Sequence, residues 1–227
     1  AHAPEVLQVS PSNGPNAGGT LVTLRGRHFV QSSLLKCKFG MVSVDAIYVS
    51  ESYVNCTTPS HDAGLATVQV STNSVDFHST GSTSFLFQPP VQLFAATPTV
   101  AVTGGSLYVV VAGTNLLPSS TCMVDGKLAE YASWISSQEV LCKLPSLEPG
   151  NYVVRITNNV QDFSESAVTY SVAEAVEVVS LHPPLGPTVG GTTVTVHGTN
   201  FTSGRWTCRF GPEVTVTAVR LNTPALS

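Results

Sequence analysis

One segment of this 227-residue chain is written three times, and a recurrence at a fixed interval restricts the fold to an array of like units. Pro11-Ser-Asn-Gly14-Pro15-Asn-Ala-Gly18-Gly19-Thr20-Leu-Val22-Thr-Leu24-Arg-Gly26-Arg-His-Phe29 returns as Pro184-Leu-Gly186-Pro187-Thr-Val-Gly190-Gly191-Thr192-Thr-Val194-Thr-Val196-His-Gly198-Thr-Asn-Phe201. A weaker copy lies between them, Pro98 to Thr103 followed by Gly104-Gly105-Ser106-Leu-Tyr108-Val-Val110-Val-Ala-Gly113-Thr-Asn-Leu116. Gly19, Gly105 and Gly191 recur at an interval of 86 residues. A second marker follows each opening: Cys37-Lys-Phe39-Gly40, Cys122-Met-Val-Asp125-Gly126 and Cys208-Arg-Phe210-Gly211, at intervals of 85 and 86. The expected units are residues 1–88, 89–173 and 174–227, the last ending before its closing strands.

Each unit reads as short strands. Leu21 to Leu24, Val42 to Val49, Ala66 to Val70, Tyr108 to Val111, Tyr152 to Ile156, Thr192 to Val196 and Val214 to Val219 are rich in β-branched residues. Many of them alternate apolar and polar positions, and no stretch holds a helical period. Asn-Gly, Gly-Pro, Gly-Gly and Pro-Gly steps separate them, at the spacing of a small antiparallel sandwich. The predicted class is all-β. Val22 with Leu24, and Val194 with Val196, fall on one face of their strands and are placed in the core.

These residues resemble the IPT/TIG domain, an immunoglobulin-like β-sandwich of the E-set type, most closely in units one and three. The resemblance rests on the Gly-Pro-x-x-Gly-Gly-Thr-x-Val-Thr-x-x-Gly-x-x-Phe opening, the Cys-x-Phe-Gly step, Cys56-Thr-Thr-Pro59, and the hairpin Val70-Ser-Thr-Asn-Ser-Val-Asp-Phe77. Unit two is a divergent copy. It lacks the Gly-Pro step, holds one residue more between Gly105 and Gly113, and offers Asn158-Asn159-Val-Gln-Asp-Phe163 as its hairpin. A resemblance of this kind implies fold; tasks differ among proteins that share the fold.

The five cysteines fall in register with the repeat: Cys37 lies 19 residues before Cys56, and Cys122 lies 20 before Cys142. Two intradomain disulfides are expected, each closing a loop of about 20 residues and contributing about 3 kcal/mol in the chain-entropy account. In-register pairs point to an oxidising compartment; the alternative is a cytosolic chain with buried thiols. A closed zinc site would need Cys-x-x-Cys spacing or a close His pair, and neither is present, so no metal and no cofactor is expected. Cys208 has no partner in the given chain, because the same spacing reaches 227 or 228, where the sequence stops. Two readings of the third unit are open: its closing strands follow in a longer polypeptide, or a neighbouring molecule supplies them by strand addition.

Charged residues are 11% of the chain and the net charge is -4, so a phosphate backbone finds no basic surface and nucleic acid is not an expected partner. No apolar run is long enough for a membrane helix. Asn55-Cys-Thr57 and Asn200-Phe-Thr202 are glycan acceptor sequences, whereas Asn222-Thr-Pro is not. His2, His28, His61, His78, His182 and His197 share no motif, and no nucleophile elbow or phosphate loop appears, so no catalytic residue is assigned. The links around Gln88-Pro-Pro90-Val and Ser171-Val-Ala-Glu-Ala175 are short, and the first is stiffened by its Pro-Pro step. A semi-rigid array is expected, secreted or on a cell surface, with a structural or adhesive task and with glycans attached. Its expected partners are other copies of itself, as in a filament, or other extracellular proteins. The alternative is a stalk segment of a plexin-like or Met-like receptor ectodomain.

Overall fold

The structure is a computed structural model that describes residues 2–79, 83–105, 107–201 and 205–221. Ser106 of the second opening turn, Thr202 of the Asn200 sequon and the end of the chain from residue 222 lie outside these. All regular structure among the described residues is β.

The first unit contains β1 (Glu5–Ser10), β2 (Asn13–Pro15), β3 (Leu21–Arg27), β4 (Lys36–Phe39), β5 (Val42–Ser50), β6 (Tyr53–Thr57), β7 (Gly64–Ser71) and β8 (Ser84–Gln88). They pair in the order β1-β3-β6-β5-β4-β7-β8-β2. The long strand β5 turns the corner, pairing with β6 in one leaf and with β4 in the other. Alternation decides which side chains go inside: Val22 and Leu24 of β3 are buried while Leu21, Thr23 and Arg25 face out. Val6, Leu24 and Val54 from one leaf meet Phe39, Val70, Phe85 and Phe87 from the other. The three rings pack edge to face, with centroids 4.8 to 6.1 Å apart.

The second unit repeats the plan with β9 (Gln92–Thr97), β10 (Val100–Val102), β11 (Tyr108–Thr114), β12 (Thr121–Val124), β13 (Lys127–Leu128), β14 (Tyr131–Ser136), β15 (Glu139–Lys143), β16 (Gly150–Thr157) and β17 (Val168–Ala173). Its leaves are separate, β14-β15-β11-β9 and β10-β17-β16-β12-β13. In both units the chain crosses from the first leaf to the second immediately after its opening strand. There β2 or β10 adds in parallel to the last strand of the unit. A disulfide ties the leaves in each case: Cys37 to Cys56 with Cα atoms 6.4 Å apart, and Cys122 to Cys142 at 6.2 Å.

The third unit has β18 (Glu177–His182), β19 (Thr195–Thr199), β20 (Trp206–Phe210) and β21 (Val214–Ala218), paired as two hairpins. Here β19 starts at Thr195 rather than at Thr192. In the first unit residues Leu21 and Val22 are held in β3 by β6, and no described strand takes that place beside Thr192 to Val194. Phe210, two residues from Cys208 and so on the same face of β20, is 42% exposed because no second leaf covers it among the described residues.

The glycine that closes each opening motif has a steric cause. A Cβ on Gly26, Gly113 or Gly198 would run into the carbonyl oxygen of Glu5, Gln92 or Glu177, on the strand paired alongside. The register of that pair slips in all three units, so the first strand passes close where the ladder is irregular. Only a residue without a Cβ admits the pass.

Tyr170 carries a different constraint. It lies wholly inside the second core, and its hydroxyl has no hydrogen-bond partner. Burial raises its pKa above the ordinary 10.0. The unfolded chain therefore ionises first, so stability is intact below pH 10 and falls as pH rises towards the folded value. Tyr170→Phe removes the orphaned hydroxyl and the ionisable group together. Urea unfolding should show a gain of about 1 kcal/mol at neutral pH, with the alkaline loss moved to higher pH.

Candidate functional site: the joints between units

The hairpin after β16 forms a preorganised box. The Asn159 side-chain oxygen accepts from the backbone N–H groups of Gln161 (3.0 Å) and Asp162 (2.8 Å), and its amide nitrogen donates to Asp162 Oδ2 at 2.6 Å. The first unit builds the same box, with Asn73 accepting from the N–H groups of Val75 (3.0 Å) and Asp76 (2.9 Å) and donating to Asp76 Oδ2 at 2.8 Å. Asn is the residue that fits, since its short amide can close on its own backbone two and three residues on. In each loop the residue after that Asn is left-handed, Ser74 at φ 63 and Val160 at φ 65.

In the second unit this box docks on the opening turn of the first. The Thr20 hydroxyl donates to Asp162 Oδ2 at 2.6 Å, Asn159 Nδ2 donates to the Asn13 carbonyl at 2.9 Å, and Gln161 Nε2 donates to the Leu21 carbonyl at 3.0 Å. Thr20 is itself fixed. It is 1% exposed, its N–H donates to Thr58 Oγ1 at 3.1 Å, and its carbonyl accepts the Thr58 N–H at 2.9 Å. A hydrogen bond to a charged group is worth about 1.5–3 kcal/mol, more than one between neutral groups.

The linker beneath is fastened at both ends. The Asn16 N–H holds the Gln88 carbonyl at 2.8 Å, and Asn115 Nδ2 holds the Pro90 carbonyl at 2.9 Å. Val91 then enters the second core. The next joint repeats the device, with Asn200 Nδ2 on the Ala175 carbonyl at 2.9 Å and the Ala175 N–H on Thr103 Oγ1 at 3.1 Å. Both asparagines stand 25 residues after the carbonyl they hold and are left-handed, at φ 60 and φ 64. His28 occupies the same place in the first unit at φ 60, where its ring stacks on His2 with centroids 4.9 Å apart.

Thr20, Asn159 and Asp162 stand inside the opening and hairpin motifs and Asn115 in the second copy of the opening, but none of them was assigned a role at a joint from the sequence. The signal was present as an Asn-x-x-Asp spacing shared by the two hairpins. Of the residues that were singled out, Cys37, Cys56, Cys122 and Cys142 form the leaf-to-leaf bridges, and Cys208 on β20 is a free thiol among the described residues. Asn55 lies in β6 of the first unit with its side-chain oxygen accepting from Thr23 Oγ1 at 2.9 Å, whereas Asn200 stands at the second joint. His61 stacks on Phe87 at 4.6 Å, and apart from the stacked pair His2 and His28 no ring contact joins two histidines among the described residues. Among the described residues no group of three or more His, Cys, Asp or Glu side chains could hold a metal ion. The surface hollows, one by His2, His28 and Glu51 and another by Asn16 and His61, are open to solvent. No helix of the described chain is long and apolar enough to cross a membrane.

Tandem sandwiches tied leaf to leaf and joined through their opening turns define a class of multi-unit immunoglobulin-like arrays. The IPT/TIG domain model matches residues 4–88, 94–172 and 177–223, and the chain belongs to that family. Human fibrocystin-L is 27% identical over 208 residues, covering 88% of this chain and 5% of its own length. Plexin-A3 of Rattus norvegicus is 26% identical over 215 residues, covering 87% of this chain and 11% of its own length. The chain thus spans a small part of the curated relatives it matches. A structure of the full extracellular region of plexin A4, domains 1 to 10, aligns over 97% of this chain and 21% of its own, with a TM-score of 0.51 at 17% identity.

Two substitutions test the joint. Asp162→Ala removes the acceptor of the Thr20 hydroxyl without touching either core. Hydrogen exchange should rise roughly tenfold in the segment from Asn13 to Leu21, while the unfolding midpoints of both units stay in place. Val160→Gly relieves a β-branched residue held at positive φ and should stabilise the second unit by about 1 kcal/mol, read by thermal unfolding.

Proposed function

We propose that this chain is a spacer segment of an extracellular, cell-surface ectodomain. It acts as a semi-rigid rod whose joints set the distance and angle between the parts it connects. The observation that carries this reading is the docked box, in which three side-chain hydrogen bonds and a linker fastened at both ends restrict the hinge between units one and two. Flexible linkers leave domains free to swing; a link held by directional bonds and a buried Val91 does not. The paired disulfides suit an oxidising compartment, and the plexin match names an extracellular region. Its action is positioning rather than catalysis, and its partners are other extracellular proteins.

A filament subunit is the second reading. What favours it is the pair of open edges of the second unit's leaf β14-β15-β11-β9, where Phe94 on β9 and Ile135 on β14 are exposed and strand addition from a neighbour would cover them. The relatives favour the spacer. Small-angle scattering joined to sedimentation separates the two. The spacer predicts an elongated monomer whose profile is independent of concentration, and Asp162→Ala broadens its distribution of lengths. Growth into fibres as concentration rises would overturn the spacer in favour of the filament.

A further inference from the structure

The two glycan acceptor sequences occupy unlike environments, and the repeat supplies a control for one of them. Asn200 is the third-unit counterpart of Asn115, with the same left-handed backbone and the same hydrogen bond from Nδ2 to a linker carbonyl. Asn115 is followed by Leu116 and Leu117 and is not an acceptor sequence. An asparagine at this place is therefore accounted for by the joint, and its amide nitrogen, the atom a sugar would take, is already committed to Ala175.

Asn55 has no such account. It stands on the outer face of β6 in the leaf β1-β3-β6-β5, with Thr57 two residues on and so on the same face. The Thr23 hydroxyl donates to its side-chain oxygen, which fixes the amide with oxygen toward β3 and nitrogen away from it. The corresponding cross-strand pair of the second unit is Val110 with Leu141, both apolar. In the first unit a polar pair, Thr23 with Asn55, stands where the second unit has an apolar one. Ile47, paired directly with Asn55 on β5, is 66% exposed, and Leu21 and Tyr53 on the same face are 47% and 42% exposed. Exposed side chains grouped in this way on one face are ordinarily covered by something.

We infer that Asn55, and not Asn200, carries an N-linked oligosaccharide, whose first sugars cover the face formed by Ile47, Leu21 and Tyr53. In the transfer, the Asn55 amide nitrogen bonds to the anomeric carbon of an oligosaccharide held on a lipid diphosphate. The bond from that carbon to the phosphate oxygen breaks, the diphosphate leaves with the electron pair, and an amide proton passes to a base of the transferring enzyme. No oxidant or reductant is needed. The inference rests on the extracellular reading, because the donor is met only on the secretory route.

The test is made on the full chain secreted from a eukaryotic cell, with peptide mapping after enzymatic glycan release, which turns an occupied Asn into Asp, and a count of free thiols. Glycan on Asn55 alone, lost in Asn55→Gln and kept in Asn200→Gln, is the expected result. Releasing the glycan from the folded protein should also raise binding of an apolar dye, a readout that does not depend on the Asn55→Gln chain folding. Glycan on Asn200, or on neither site of a chain whose cysteines are bridged, overturns the assignment alone. Retention in the cell with the four cysteines reduced overturns the extracellular reading, and the acceptor with it.

Discussion

Thr20 is committed in two directions at once. Its backbone N–H and carbonyl are both spent on Thr58, which holds the opening turn against the end of β6, and its hydroxyl is aimed at Asp162 of the next unit. The residue that completes the fold of one sandwich thereby presents the donor that orients the following one. The Cβ of Thr20 also packs where Gly14 has none, since a side chain at Gly14 would meet Thr20 directly. The Gly-x-x-x-Gly-Gly-Thr opening is thus one device: glycines clear the space and make the turn, and the threonine fills it and faces outward.

Much of this architecture was legible in the residues. The interval of 86 residues set the number of units, and period-two alternation set the inward face of β3, where Val22 and Leu24 are buried. The joint was not legible by the same means, because its bonds run between residues as far apart as Thr20 and Asp162 and obey no local period. Asn200 shows the difference sharply. As a local motif it is an acceptor sequence; in its unit it is the counterpart of Asn115, and only the carbonyl it holds reveals that. The start of β19 was read three residues early for a related reason, since β-propensity at Thr192 to Val194 has no effect without a strand to pair with.

Divergence of the second unit has left its joints intact. It lacks the Gly-Pro step and its leaves no longer share a strand, yet it supplies both Asn115 to the linker before it and the Asn159–Asp162 box to the unit before it. The core positions that differ, such as Val124 in place of Phe39, exchange one apolar filling for another and are tolerated by repacking. The box tolerates less, because its amide and carboxylate must each meet a partner at a fixed point. Side chains with directional partners therefore report the shared architecture of the two units more faithfully than the volume of their cores.

The chemistry of the joint also suits the surface on which it is built. Charged residues are 11% of the chain, and the contacts across the first joint are amides, a hydroxyl, backbone carbonyls and one carboxylate, with no ion pair among them. Ion pairs at an exposed hinge would be screened by physiological salt within about 8 Å and would hold the angle loosely. Hydrogen bonds act at contact and depend on direction, so these three, one of them to the Asp162 carboxylate, fix an orientation that a screened ion pair would not. Two of the three bonds end on backbone carbonyls, those of Asn13 and Leu21, so the angle of the joint is set by the main chain of the opening turn itself.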